Sequence, residues 1–211
     1  DIAKRECRFQ LKTTIIEDNY ILSQRTAFDR DLFAQESLRQ YDLIIGNPPY
    51  KKIGKDALEA LAIPEVCYGA PNLYFLFAAM GIKNLKDDAE MVYIIPRSWT
   101  SGAYFEKFRK FLFSHACIEY IHLFESRNKV FDKESVLQET MIVKFKKNTR
   151  FPSCITISTS ATNKDFSDLH KLDVPYQVVV SDNHYYVHLV TDEEEVKSLQ
   201  SINHFKNTLV D

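Results

Sequence analysis

Glycine is scarce in this sequence. Its 211 residues include five, Gly46, Gly54, Gly69, Gly81 and Gly102, and none forms a G-x-G pair. A turn that brings backbone into close contact with a bound ligand is therefore not encoded in the chain as it stands. Long apolar runs are missing too. Leu43-Ile44-Ile45 and Met91 to Ile95 fall far short of the roughly 20 residues needed to cross a bilayer. With no basic-then-apolar leader at the start, a cytoplasmic location is expected. The cysteines Cys7, Cys67, Cys117 and Cys154 form no C-x-x-C pair and have no histidine at metal-ligand spacing. Reduced, mostly packed thiols and no metal are expected. A net charge of −2 and a pI near 6.3 exclude coating of nucleic acid by bulk charge. Any such contact must come from local clusters: Lys51-Lys52-Lys55, Lys107-Arg109-Lys110, Arg127-Lys129 or Lys144-Lys146-Lys147-Arg150. Each of these can equally be a solvated face.

What is present is an ordinary globular composition, 45% hydrophobic and 27% charged, enough for one sizeable core and a small appendage. The first plausible strand, Lys12 to Ile16, ends at Glu17-Asp18. A short polar helix over Asp31 to Gln40 is followed by Tyr41-Asp42-Leu43-Ile44-Ile45-Gly46, a nearly all-apolar run expected to be a strand buried on both faces. It stops at Asn47-Pro48-Pro49, because proline cannot donate to a ladder and forces its predecessor into extended geometry. After an irregular stretch with a short helix near Asp56 to Ala62, Asn72 is expected to cap a helix through about Leu85. Asp87-Asp88 should turn the chain into a second buried strand, Glu90 to Ile95. Residues 102 to 114 have the spacing of an amphipathic helix, with Tyr104, Phe105, Phe108, Phe111 and Leu112 inside. Ile118 to Phe124 and Glu139 to Phe145 complete a strand series. Alternating strands and helices imply an α/β protein with a parallel sheet and ligands beyond its carboxyl ends, where Asn47 and Pro96 lie. After Lys147 the composition turns β-branched and aromatic, at Cys154 to Ser160 and Val178 to Val190, so a domain boundary is expected near residue 150.

Asn47-Pro48-Pro49-Tyr50 carries the chemistry. Such a tetrad arises by chance in about one chain in a thousand of this size, from average residue abundances. An exocyclic amine on an aromatic ring is a poor nucleophile because its lone pair is delocalised. Two acceptors gripping its N–H groups favour a more tetrahedral nitrogen and free that pair. Asn47 can supply one acceptor through its side-chain oxygen and the Pro48 carbonyl the other, while neither proline carries a competing N–H. Fixed before substrate arrives, they act by positioning and preorganised electrostatics, without a metal or a covalent intermediate. A base in a duplex must be swung out to reach such a loop, and Tyr50 can stack on it, recovering roughly 1–3 kcal/mol.

These residues resemble the N6-adenine amino-methyltransferases of restriction-modification systems, over about residues 12 to 147. Tyr41 to Tyr50 is similar to that family's catalytic strand and loop. Asn72-Leu73-Tyr74-Phe75-Leu76-Phe77 is similar to its next helix, and Met91 to Pro96 to its next strand. Val136-Leu137-Gln138-Glu139-Thr140 resembles the entry to the last strand in large enzymes where methylation and cleavage are fused. The resemblance implies S-adenosylmethionine as cofactor and double-stranded DNA as partner, with a fused or separate restriction endonuclease possible. It implies a partial Rossmann-like methyltransferase sheet with an antiparallel hairpin at its end: residues 1–150 as the C-terminal part of the catalytic domain, and 151–211 as the beginning of a β-rich target-recognition domain. It also implies that Phe131 sandwiches the flipped adenine against Tyr50, and that Asp18, with Asn47, contacts cofactor. Phe131 can equally be a core residue and Asp18 a turn carboxylate. Phe75 and Phe77 close the cofactor pocket or pack the helix, and Trp99 faces DNA or packs.

One departure stands out: the family's glycine-rich cofactor turn and its acidic ribose-binding residue have no counterpart here. The chain is accordingly expected to be a fragment that begins near the third strand and binds cofactor weakly alone. Two alternatives stay open. The same loop serves methyltransferases of ribosomal-RNA guanine N2 or of a release-factor glutamine, and a scaffold without a cofactor site can be a non-catalytic DNA-binding module.

Overall fold

The computed structural model describes residues 12–28, 38–124, 139–161, 166, 169–181 and 184–203. Its centre is a six-stranded sheet. The strands are β1 (Tyr41–Gly46), β2 (Leu85–Pro96), β3 (Cys117–Phe124), β4 (Thr140–Lys146), β5 (Cys154–Ser160) and β6 (His170–Pro175). Their order is β1-β2-β4-β3-β5-β6. β1 runs parallel to β2, and β3 parallel to β5; the other neighbours are antiparallel. The expected α/β sheet with an antiparallel pair, β3 and β4, is therefore present, in a mixed rather than parallel form.

Period-two burial shows which face of the sheet is covered. Met91, Tyr93 and Ile95 are buried, while Glu90, Val92 and Ile94 between them are partly exposed. The covered face packs on α3 (Leu73–Asn84) and α4 (Glu106–His115). α3 buries residues on all sides, from Tyr74 and Phe75 to Met80 and Ile82, as a helix between a sheet and other helices must. α4 is amphipathic, with Phe105, Phe108, Phe111 and Leu112 inside. Trp99 is fully buried, against Phe108 and Phe145 at centroid distances of 5.8 and 6.0 Å. Packing, not DNA, is its role.

Arg109 lies in this core, fully buried. It donates to Trp99 O (3.0 Å), Gly102 O (2.8 Å) and His184 O (3.0 Å), and its guanidinium stands 4.6 Å over the Tyr186 ring. It thereby joins the 3-10 turn Arg97–Thr100, which follows β2, to the C-terminal segment. The basic group Lys107-Arg109-Lys110 is split accordingly. Lys144 is engaged by Glu90 (2.7 Å) and Glu119 (2.9 Å), and Lys147 donates to Leu85 O (2.5 Å), so the 144–150 cluster is not a free cationic surface either. Arg127-Lys129 falls outside the described residues. Lys51, Lys52 and Lys55 are exposed.

Several expectations are corrected. Strand β1 is not buried on both faces: it ends the described sheet, pairing only with β2 there, and Leu43 and Ile45 are 52% and 73% exposed. Residues 12–17 form no strand, and Ile15 is 91% exposed; among the described residues no strand lies beside them, and an extended segment without a ladder partner is not held. Residues 38–40 are not helical, and the rest of the helix expected there lies outside the described residues. Asp87-Asp88 is a bulge within β2, because Tyr41 faces Leu85 but Leu43 faces Glu90. Asp88 sits there at φ 62°, a left-handed conformation that aspartate tolerates, accepting from Asn148 Nδ2 (2.6 Å). The short helix expected near Asp56 to Ala62 is α2 (Leu58–Ala62), and Asn72 precedes α3 without a side-chain cap bond. The described residues between Val178 and Val190 form no strand beyond a single antiparallel bridge, Val180 to Val187: Pro175 starts the short helix α5 (Tyr176–Val179), and backbone donors pair across loops, as in Val187 N to Thr100 O (2.8 Å). Burial of Val178, Val179 and Val187 overrides their β preference. Position 150 lies between β4 and β5 and does not end the sheet, since β5 continues it beside β3.

Candidate functional site

Strand β1 delivers the Asn47-Pro48-Pro49-Tyr50 loop at its carboxyl end. Gly46, its last residue, must be glycine, because a Cβ there would lie 2.9 Å from Cε1 of the Tyr93 ring. Asn47 and Pro49 are exposed, Pro48 is buried and Tyr50 is half-buried. The Tyr50 hydroxyl lies 2.9 Å from Asn47 Oδ1 and 3.0 Å from Ile94 O. Burial pushes its pKa up to about 12, so it is a neutral phenol throughout the working pH range. Its ring meets Tyr74 edge-on at 6.3 Å, and the Tyr74 hydroxyl reaches Ser98 Oγ (3.1 Å) at the end of β2. Asn47 Nδ2 and the Pro48 carbonyl make no hydrogen bond among the described residues.

The start of α3 clamps the chain that follows. Leu73 N donates to Lys51 O (2.9 Å), Ile53 N donates to Pro71 O (2.8 Å), and Lys52 bridges to Asn72. The loop is thus held at both ends, by β1 before it and by α3 after it. Such anchoring fixes its acceptors before any substrate binds.

Beside the loop opens a cavity of about 410 Å³, bounded by Asn47, Pro48 and Pro49, by the β1 residues before them, and by Tyr20, Phe77 and Tyr93. Four of its walls are aromatic, Tyr20, Tyr41, Phe77 and Tyr93, and among the described residues that line it none carries a carboxylate or a cationic group. Tyr20 belongs to α1 (Tyr20–Ser23). It packs on Phe77 at 5.4 Å, and its hydroxyl donates to buried Asn84 Oδ1 (2.9 Å). Asn84 in turn donates to Gln24 Oε1 (3.2 Å) and Arg39 O (2.8 Å). This network ties the segment before β1 to the end of α3. A second cavity, about 540 Å³, adjoins the carboxyl end of β2 between Arg97, Ser98 and Glu139.

Of the four loop residues, Asn47, Pro48 and Pro49 line the cavity; Tyr50 does not, and turns to Ile94 O and Tyr74 instead. Phe77 lines that cavity, whereas Phe75 is buried among Tyr104, Phe105 and Phe108. Asp18 is exposed, accepts from Asn19 N (2.8 Å) and is not among the lining residues, although Tyr20 two positions later is. Phe131 lies outside the described residues. Tyr20, Tyr41 and Tyr93 were not anticipated as walls. Their convergence depends on register and tertiary packing, and no local pattern announces it.

A sheet of this order, with a proline-terminated loop and a cavity at the carboxyl end of β1, defines the class: an α/β fold of the methyltransferase type. The chain belongs to the Eco57I restriction-modification methylase family, whose model matches residues 2–131. It is 33% identical over 189 residues to the type II methyltransferase M.BsuBI of Bacillus subtilis, covering 88% of this chain and 37% of that protein. It is 34% identical over 183 residues to the type II methyltransferase M.PstI of Providencia stuartii, covering 86% of this chain and 35% of that protein. The chain thus spans little more than a third of either relative. Among solved structures, the type IIG restriction endonuclease BpuSI aligns with a TM-score of 0.50 at 18% identity, over 66% of this chain and 20% of that one. This structural likeness extends to the fold.

Proposed function

We propose that this chain is the catalytic-loop part of an S-adenosylmethionine-dependent DNA methyltransferase that methylates the exocyclic N6 of adenine in a restriction-modification system. One observation carries the proposal: two acceptors with free capacity among the described residues, Asn47 and the Pro48 carbonyl, stand on a rigid loop beside a cavity whose described walls are aromatic and apolar. Asn47 Oδ1 and Pro48 O accept hydrogen bonds from the two N6–H groups and so aim the nitrogen lone pair. The alkylated nitrogen is a far stronger acid than the starting amine, so its proton passes to water without a dedicated base. Tyr50 offers its ring to the flipped base, with Phe131 on the other side.

The cofactor fits the described residues in part. A cavity whose described walls are aromatic and carry no cation suits a sulfonium, which ring faces attract. No glycine-rich turn for the methionine moiety is present in the sequence. When bound, S-adenosylmethionine supplies an electrophilic methyl group; Tyr20, Phe77 and Tyr93 would wall its site, and Asp18 would reach it only from outside the cavity. Exposed Lys51, Lys52 and Lys55, clamped beside the loop, are suited to phosphates of the DNA strand. Residues beyond 150 begin target recognition while still contributing strands to the sheet, and an endonuclease, fused or separate, completes the system.

The test is methyl transfer by the full-length protein, with labelled cofactor, to duplex DNA, ribosomal RNA and release factor. Label recovered as N6-methyl-2′-deoxyadenosine from the DNA supports the proposal. Label confined to RNA or to release factor, or absent from all three, refutes it.

A further inference from the structure

Pro48 leaves a vacancy in the ladder that gives Tyr50 a second task. The parallel register sets Ile44, Ile45 and Gly46 against Met91, Val92 and Tyr93, which brings Asn47 opposite Ile94. In such a ladder the Ile94 carbonyl would accept from the N–H of the residue after Asn47. That residue is Pro48, which has no N–H. The Tyr50 hydroxyl stands in, 3.0 Å from Ile94 O.

The same hydroxyl lies 2.9 Å from Asn47 Oδ1. A phenol carries one proton, so it cannot donate to both oxygens at once. With Oδ1 turned to Tyr50, moreover, the end of Asn47 left for the substrate is the Nδ2 amide, a donor facing the donor N–H groups of an amine. A half-turn of the carboxamide, whose two ends are nearly isosteric, removes both conflicts. The hydroxyl then donates to Ile94 O and accepts from Asn47 Nδ2, and Oδ1 faces outward.

We infer that the Tyr50 hydroxyl is a positioning group that sets the polarity of the Asn47 carboxamide, holding Oδ1 toward the substrate amine by accepting from Nδ2 while donating to Ile94 O. This role rests on the methyl-transfer function proposed above and is separate from stacking, which needs only the ring.

Tyr50→Phe in the full-length protein keeps the ring and removes the hydroxyl. The expected result is a fall in kcat of about tenfold or more, the scale of a misoriented catalytic group, with KM for DNA and the signal of a fluorescent base analogue at the target position unchanged. In isotope-labelled unaltered protein, one Asn47 Nδ2 proton should be shifted downfield and protected from exchange, and Tyr50→Phe should abolish both effects. Wild-type kcat in Tyr50→Phe overturns the inference. So does an Asn47 amide that exchanges freely in the unaltered protein, and this measurement decides even if the variant fails to fold. Wild-type methylation by Asn47→Ala would instead sink the proposed function itself.

Discussion

Arg109→Leu removes a charge that spans three backbone carbonyls, and its cost can be worked from the structure. Each hydrogen bond from a charged group contributes about 1.5–3 kcal/mol, and buried carbonyls left without donors keep their desolvation cost. Against three such bonds stands the return of the guanidinium to water, worth several kcal/mol for a buried ion. That offset is large here, because Nη2 has no partner among the described residues. A net destabilisation of about 2–4 kcal/mol follows, near the upper end for single substitutions. In urea, with a slope of about 1–3 kcal/mol per molar, the midpoint should fall by about 1–2 M. Trp99 is the single tryptophan, its carbonyl accepts from Arg109, and it is fully buried. Its emission should therefore shift to longer wavelength before the global transition. Arg109→Lys should rescue little, since an ammonium cannot reproduce the fork that reaches Trp99, Gly102 and His184. A leucine variant with an unchanged midpoint and an unchanged tryptophan spectrum would refute this account of the core.

Gly46→Ala drives a methyl group against the Tyr93 ring and should lower stability by about 1–3 kcal/mol, the usual cost of overpacking. Thermal melts of this variant, of Tyr93→Leu and of the pair should show the double variant less destabilised than the sum, and strict additivity would deny the contact. Burial holds the imidazoles of His115, His122 and His188 below their ordinary pKa. His122 is sandwiched between Ser158 Oγ (2.7 Å) and Ser160 Oγ (3.0 Å), with Arg97 opposing its protonation. The unfolded chain therefore binds protons that the folded one refuses. Stability should be full above about pH 6.5 and decline as pH falls below it. Melting temperatures across that range check the sign, and His122→Gln should flatten the slope.

The loop and its strand were legible because two local signals coincide: an apolar, β-branched run, and prolines that can only end it; the run did not show that β1 lies at the end of the described sheet with Leu43 and Ile45 exposed. β3, β4 and β5 announced themselves by β-branched and aromatic content. β6 did not. His170-Lys171-Leu172-Asp173-Val174-Pro175 is an edge strand with little apolar content, and half of its residues are exposed. Helix α6 (Glu193–Asn203) carried a usable signal, since Asp192 Oδ1 accepts from Glu194 N and Glu195 N, both 2.9 Å. The valines just before it drew attention to strands instead. Arg109 looked like surface charge beside Lys107 and Lys110, yet Phe105, Phe108, Arg109 and Leu112 share the i, i+3, i+4, i+7 spacing of a buried stripe. In the site, Asn47 to Tyr50 are contiguous and could be recognised, whereas Tyr20, Tyr41 and Tyr93 come from three elements. Only the fold brings them together.

The central claim is that Asn47 and the Pro48 carbonyl hold an amino group for alkylation. Its most direct test is the single-turnover rate of methyl transfer to duplex DNA by full-length Asn47→Ala, measured beside its DNA affinity. The rate should fall by at least about 10²–10³, the usual loss when one preorganised polar contact to the reacting group is removed, while affinity for DNA stays unchanged. Methyl transfer at the unaltered rate would contradict the account.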